Sequence, residues 1–286
     1  MAEIAYVNGA FVPLAEAVVS VEDSGFQFAD GVYEVVIVYG AEAFRLDAHL
    51  ARLRRSLHLI DMEVDFEAFG LESVIREGVA RAGFDETLVY LQITRGGQPR
   101  AHVYDRNIAP TVVATFKRKR ALDVRLRERG IALTTVEDFR WSRCEIKSIG
   151  LLPNVIAKNR AVRDGFDDAL FVGPDGCIRE ATSANVFAIA GGALITPATD
   201  ASILHGVTRG YVLECAAGAG IACREAALTV EVLQSANEAF ISSTTVDILP
   251  IRTIDGRTVG SRVPGPITKR LYEAFLDGLP GVRQSL

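Results

Sequence analysis

The chain opens with two short apolar-rich runs, Ile4 to Val7 and Ala10 to Pro13, joined by Asn8-Gly9. Asn-Gly supplies the positive φ angles of a tight type I′ turn, so this pattern predicts a β-hairpin. Val35 to Tyr39 and Ala43 to Arg45 flank Gly40 as a second predicted hairpin. Asp47 then reads as the cap of a helix whose Leu50, Leu53 and Leu57 share one face. A second helix is predicted from about Phe66 to Ala82, stopped by Gly83. Strands at Thr87 to Thr94 and Thr111 to Lys117 complete a first region of α+β character.

Beyond it the pattern predicts a strand near Ile131 to Thr135, an extended stretch holding Lys147, and a helix from about Leu151 to Asp164 closed by Gly165. Short strands follow at Ala169 to Val172, Cys177 to Glu180, Asn185 to Ile189 and Ala193 to Thr196, punctuated by Pro174-Asp175-Gly176 and Gly191-Gly192. A helix from about Thr208 to Ala219, a strand around Glu238 to Ser242 and a helix from about Pro266 to Leu276 end the pattern. The expected organisation is an N-terminal α+β domain over 1–118, a linker over 119–124 and a C-terminal domain over 125–286.

Length agrees with that division, because 286 residues favour two domains over one. With 49% hydrophobic and 23% charged residues the composition is that of a globular chain rather than a disordered one. A net charge of −5 argues against nucleic-acid binding, which needs a basic face. The basic run Lys117 to Arg120 is too short to change this and has no assigned role. No secretory signal is visible at Met1-Ala2-Glu3-Ile4, and no apolar stretch approaches the length of a membrane span. Cys144, Cys177, Cys215 and Cys223 match neither a zinc cluster nor a redox pair, which suggests a reducing cytoplasm. Four scattered histidines suggest no metal site.

Several segments carry chemistry only when taken together. Arg143-Cys144-Glu145-Ile146-Lys147-Ser148 sets a lysine in an extended stretch ended by Gly150 and Pro153. Ile178-Arg179-Glu180-Ala181-Thr182-Ser183-Ala184-Asn185 puts a carboxylate at a strand end before a small turn. Leu204-His205-Gly206-Val207-Thr208-Arg209 introduces a helix whose first N–H groups suit an anion. Ile241-Ser242-Ser243-Thr244-Thr245 offers a row of hydroxyl donors. Singly, these are an ordinary surface lysine, a salt-bridge partner, a helix start and a turn.

With Ala29-Asp30-Gly31-Val32-Tyr33-Glu34-Val35-Val36 and His49-Leu50-Ala51-Arg52-Leu53, these segments resemble the fold type IV enzymes that use pyridoxal 5′-phosphate, and most closely the D-amino-acid aminotransferases. The resemblance spans almost the whole chain. It implies a two-domain α+β fold, with a cofactor-binding C-terminal domain of pseudo-barrel β structure. It further implies that Lys147 is the Schiff-base lysine, and that it moves the proton between the substrate α-carbon and the cofactor. Glu180 would face the pyridine nitrogen and keep it protonated, so that the ring can accept the electrons left behind. Arg52 resembles the phosphate-binding arginine, helped by N–H groups and hydroxyls at Val207, Thr208, Ser243 and Thr244, while Leu204 would lie against the ring.

The resemblance places substrate recognition in Arg95-Gly96-Gly97-Gln98-Pro99-Arg100-Ala101-His102. There Arg100 and His102, with Tyr33, would hold the substrate carboxylate, the pair reaching in from the neighbouring subunit of a homodimer. The implied reaction transfers an amino group between a D-amino acid and a 2-oxo acid, of the type D-alanine plus 2-oxoglutarate to pyruvate plus D-glutamate. Ala184 departs from the family's usual second serine, which points to an altered side-chain preference. Branched-chain L-aminotransferases usually show Phe-Glu-Gly and a following arginine where this chain has Tyr33-Glu34-Val35-Val36. Aminodeoxychorismate lyases usually lack the Arg-x-His trap, and R-selective amine transaminases do not need that clamp in the same form. A non-catalytic protein that binds the cofactor is the alternative of a different class. It is disfavoured by the joint presence of Lys147, Glu180, Arg52 and Arg100.

Overall fold

A computed structural model describes residues 1–281. The described residues divide into two compact units, one comprising 1–120 with 146–150, the other 121–145 with 151–281.

The first unit contains β1 (Ile4–Val7), β2 (Ala10–Pro13), α1 (Ser24–Phe28), β3 (Gly31–Tyr39), β4 (Glu42–Ala43), α2 (Leu46–Leu59), α3 (Leu71–Ala82), β5 (Glu86–Thr94) and β6 (Thr111–Arg118). Its sheet runs β2-β1-β6-β5-β3-β4, every pair antiparallel. The period of two sorts the strands: Val32 and Val36 of β3, Val89 and Leu91 of β5, and Ala114 and Phe116 of β6 enter one core with Leu53, Leu57 and Ile75 of the helices. Tyr33 and Val35, with their partners Gln92 and Tyr90, alternate with them along the strands. At Gly78 of α3 an added Cβ would lie 2.1 Å from the Phe116 ring, so the glycine allows this contact.

Because β4 pairs only with Val38 and Tyr39, the start of β3 is open on that side. The 146–150 segment fills it. Tyr33 N donates to Lys147 O at 2.9 Å, Ile149 N donates to Gly31 O at 3.1 Å, and Val32 bridges Ser148.

The second unit contains α4 (Val124–Arg129), β7 (Ile131–Glu137), α5 (Leu152–Arg163), β8 (Asp168–Val172), β9 (Ile178–Ala181), β10 (Asn185–Ala190), β11 (Ala193–Thr196) and α6 (Val207–Gly218). After these come β12 (Cys223–Glu225), α7 (Val230–Gln234), β13 (Glu238–Ser243), β14 (Asp247–Ile254), β15 (Arg257–Thr258) and α8 (Pro266–Asp277). Its nine-stranded sheet runs β12-β11-β10-β13-β14-β7-β8-β9, with β15 on β14. The pair β7 and β8 is parallel, as a helical crossover through α5 allows. Leu133, Leu170, Val186, Ile241 and Ile251 form the core.

Three expectations are corrected and one strand is added. Gly70, at φ 54°, separates a 3-10 turn over Glu67–Phe69 from α3, so Phe66 to Ala82 is not one helix. Arg45, in the left-handed region, precedes α2, and Asp47 lies within its first turn, where a carboxylate suits the positive helix end. β3 begins at Gly31 rather than Val35, because the apolar alternation continues back through Val32. Unforeseen β14 contains Pro250, which reads as a breaker, but its parallel ladder to β7 starts only at Ile251.

Candidate active site

In the first unit Lys147 is half-buried, and its backbone is fixed from two sides. Its N–H donates to Ser56 Oγ at 3.2 Å and its carbonyl accepts from Tyr33. Its Nζ stands 4.1 Å from the centroid of the Tyr33 ring, which stacks on Tyr90 at 5.4 Å. Tyr90 donates to Gln92 Oε1 at 2.7 Å, and burial, then the neighbouring Tyr33, pushes its phenol up to about 12. Tyr90 therefore stays a donor at neutral pH.

Beside them lies a buried charged cluster. Arg52 donates from Nε and Nη2 to the two Glu34 oxygens at 2.6 and 2.8 Å, and His49 Nδ1 is 2.8 Å from Glu34 Oε2. Burial opposes the Glu34 charge, but the Arg52 guanidinium and then His49 outweigh it and hold the carboxyl down to about 2. Burial likewise lowers the His49 pKa, against the pull of Glu34. The fork on Glu34 orients Arg52.

The loop after β5 is anchored at its base. Arg95 donates to both Asp30 oxygens at 2.6 and 3.1 Å and to Ile60 O at 2.7 Å. Gly96, at φ 103°, passes so close to Ala109 O that a Cβ would lie 2.1 Å from it. Asp23 caps α1 by accepting from Gly25 N at 2.8 Å and also accepts from Thr94 Oγ1 at 2.9 Å, which sets α1 against β5. Phe28, at the end of α1, receives the Arg100 guanidinium at 4.4 Å from its ring centroid and the His102 ring at 5.4 Å. Arg100 and His102 are thus brought together on one aromatic, with both side chains exposed.

In the second unit Glu180 ends β9 in a buried clamp. Arg140 Nη1 donates to Oε1 at 2.5 Å, Asn185 Nδ2 to Oε2 at 3.1 Å, and Leu204 N to both oxygens at 3.2 Å. Asn185 also donates to Leu204 O at 3.0 Å, tying β10 to the stretch before α6. A Cβ on Gly206 would lie 2.1 Å from Asn185 Oδ1, so only glycine lets the two meet. No side chain caps α6, which leaves the N–H groups of its first turn, including Val207 and Thr208, open to an anion. Thr208 is buried and Val207 half-buried. At the end of β13, Ser243 Oγ and Thr245 Oγ1 are 3.3 Å apart and Thr244 is half-buried, while buried Ser242 Oγ has no hydrogen-bond partner.

Sequence reasoning missed Arg140, Asn185, Ser56, and the Glu34 and His49 cluster. Arg140 shows only as a charged residue two after Asp138 beyond a strand, and nothing local ties it to Glu180. Among the described residues no cluster of metal-binding side chains occurs. No helix is long and apolar enough to cross a membrane among them.

By fold the molecule is an aminotransferase. The branched-chain aminotransferase of the thermophilic archaeon Thermoproteus uzoniensis, in a structure with norvaline, matches it with a TM-score of 0.85 and 28% identity, over 95% of this chain and 93% of that one. The chain belongs to the Amino-transferase class IV family, whose model matches residues 31–254. It is similar to a D-alanine aminotransferase of Bacillus licheniformis, 37% identical over 273 residues and 95% of each chain. A D-alanine aminotransferase of Listeria innocua is 39% identical over 274 residues, covering 95% of this chain and 94% of the relative.

Proposed function

We propose that this protein transfers the amino group of a D-amino acid to a 2-oxo acid with pyridoxal 5′-phosphate as cofactor, in the manner of D-alanine plus 2-oxoglutarate. The observation that carries the reading is the meeting of Arg100 and His102 on Phe28. Two nitrogen donors so placed suit a carboxylate. The relatives that share nearly the full chain are named D-alanine aminotransferases.

The residues fit the cofactor on chemical grounds. Its phosphate requires donors, which the uncapped start of α6 at Val207 and Thr208, the hydroxyls of Ser243 and Thr244, and the guanidinium of Arg52 offer. Its ring nitrogen requires a fixed anion, which Glu180 offers within its clamp. Leu204 gives an apolar side chain next to that carboxylate's N–H contact. When bound, the cofactor supplies an electron sink for the substrate α-carbon.

Lys147 would hold the cofactor covalently, and its Nζ would be the group that takes up and returns the substrate α-proton. The two backbone hydrogen bonds at Lys147 hold that amine's origin fixed while the side chain swings. Glu180 would favour the protonated form of the ring nitrogen, and so would support the cofactor's capacity to accept electrons. Tyr33, beneath the Lys147 amine, joins Arg100 and His102 in orienting the substrate carboxylate. The pair serves the neighbouring subunit of a homodimer, which accounts for its exposure in the single chain. A cytoplasmic location completes the reading, supported by four cysteines without a disulfide.

Titrating the purified yellow protein with D-alanine and then L-alanine tests the reaction. D-alanine should bleach the visible band of the lysine-linked cofactor and release pyruvate, whereas L-alanine should do so at least about tenfold more slowly. Bleaching by L-alanine alone would overturn the reading.

A further inference from the structure

Arg140 does more than touch Glu180. The same guanidinium donates from Nε and Nη2 to the two oxygens of Asp138 at 2.9 and 2.8 Å and from Nη2 to Ser202 O at 3.1 Å, and it lies 4.4 Å from the Phe171 ring centroid. The three side chains Asp138, Arg140 and Glu180 are 12%, 5% and 8% exposed. Burial works against the Arg140 charge, but Asp138 and then Glu180 hold its pKa above the ordinary arginine value. The row therefore reads anion, cation, anion, and its formal charges sum to one negative charge.

A guanidinium bonded to Glu180 alone would cancel the carboxylate's charge and weaken its hold on any proton presented to it. Asp138 offsets that cation. In a mostly buried setting such a second charge is screened less than at the surface and still acts over a few ångströms. Cys144 also interacts electrostatically with Arg140 and Glu180, but burial pushes its thiol up to about 11, which keeps it neutral at working pH. Asn185 and the Leu204 N–H are neutral donors and do not change the sum.

We propose that Asp138, acting through Arg140, is a positioning residue that leaves Glu180 with one net negative charge for the protonated ring nitrogen of the cofactor. This rests on the reading of Glu180 given above and deepens it. Asp138 touches neither cofactor nor substrate in this role.

The test compares the dissociation constants of pyridoxamine 5′-phosphate and of its analogue with CH in place of the ring nitrogen, measured by equilibrium dialysis on the full-length protein. Asp138→Asn should weaken the nitrogen-containing cofactor about tenfold and leave the CH analogue unchanged. Equal weakening of both would mean a merely structural role and would overturn the proposal. Glu180→Gln separates the two levels. If it loses the preference for nitrogen while Asp138→Asn keeps it, the role of Asp138 fails and that of Glu180 stands. If Glu180→Gln keeps the preference too, the Glu180 reading itself fails. Should Asp138→Asn not fold, Arg140→Gln gives the opposite sign: two anions remain, so the preference for nitrogen should rise. An unchanged or reduced preference in that variant contradicts the charge balance.

Discussion

The backbone of Lys147 is held by hydrogen bonds that do not involve its amine. Tyr33 N, Ser56 Oγ and the bridge at Ser148 hold the segment, so the amine can be removed with those bonds kept. Lys147→Ala should therefore fold with an unchanged melting temperature but lose the visible band of the bound cofactor and all measurable transamination. A variant that still turns over would remove Lys147 from its assigned role. The segment around this lysine stood out in the sequence because a lysine, a strand-end carboxylate and a Gly-led helix follow one another in an order that resembles the family's. Arg140 did not, because a contact between residue 140 and residue 180 is set by the pairing of β7, β8 and β9 and leaves no local trace. Glu34 was hidden differently: in the sequence it is one acid in an apolar strand, and only the three-dimensional arrival of Arg52 and His49 from α2 explains a fully buried carboxylate.

At the scale of elements, α3 can approach β6 as it does because Gly78 has no side chain. Three Phe116 ring atoms would lie 2.1, 2.3 and 2.4 Å from an added Cβ, and Phe116 is fully buried with nowhere to go. Alanine gains about 1 kcal/mol in helix propensity over glycine, but overpacking a tight core costs roughly 1–3 kcal/mol. Gly78→Ala should lower the urea-unfolding free energy, by about 1 kcal/mol, and a more stable variant would contradict the packing described. Periodicity located this helix but not its start. Phe66 and Phe69 continue the apolar spacing into the 3-10 turn, and it is Gly70 in the left-handed region that breaks it. The hairpin at Asn8-Gly9 was legible in full, with φ angles of 44° and 99° where the turn type requires positive values. Short capped helices such as α4 and α7 were not read, although Asp123 and Thr229 cap them, since five or six residues give too little periodicity.

For the whole molecule, the buried Glu34 and His49 make stability depend on pH in one direction. Glu34 holds its proton less tightly folded, at about 2, than at its ordinary 4.5, so its contribution is complete above about 4.5 and is lost as pH falls toward 2. At about 1.4 kcal/mol per pKa unit this amounts to about 3 kcal/mol. His49 is also lowered from 6.5, so the unfolded chain takes up a proton there first and stability begins to fall below pH 6.5. The melting temperature should therefore drop in two stages between pH 7 and pH 3, and His49→Gln should remove the first. A flat profile above pH 5 in the parent would contradict the burial of His49. The activity of the whole rests on what it selects, and that claim is carried by Arg100. Removing one partner of a desolvated charge pair costs roughly 2–5 kcal/mol, whereas a surface arginine is worth about 0–1 kcal/mol. The most direct measurement is kcat/KM of Arg100→Ala for D-alanine and for an R-amine that lacks a carboxylate. The account predicts a loss of about 30-fold or more for D-alanine and far less for the amine, and equal losses on the two substrates would contradict it.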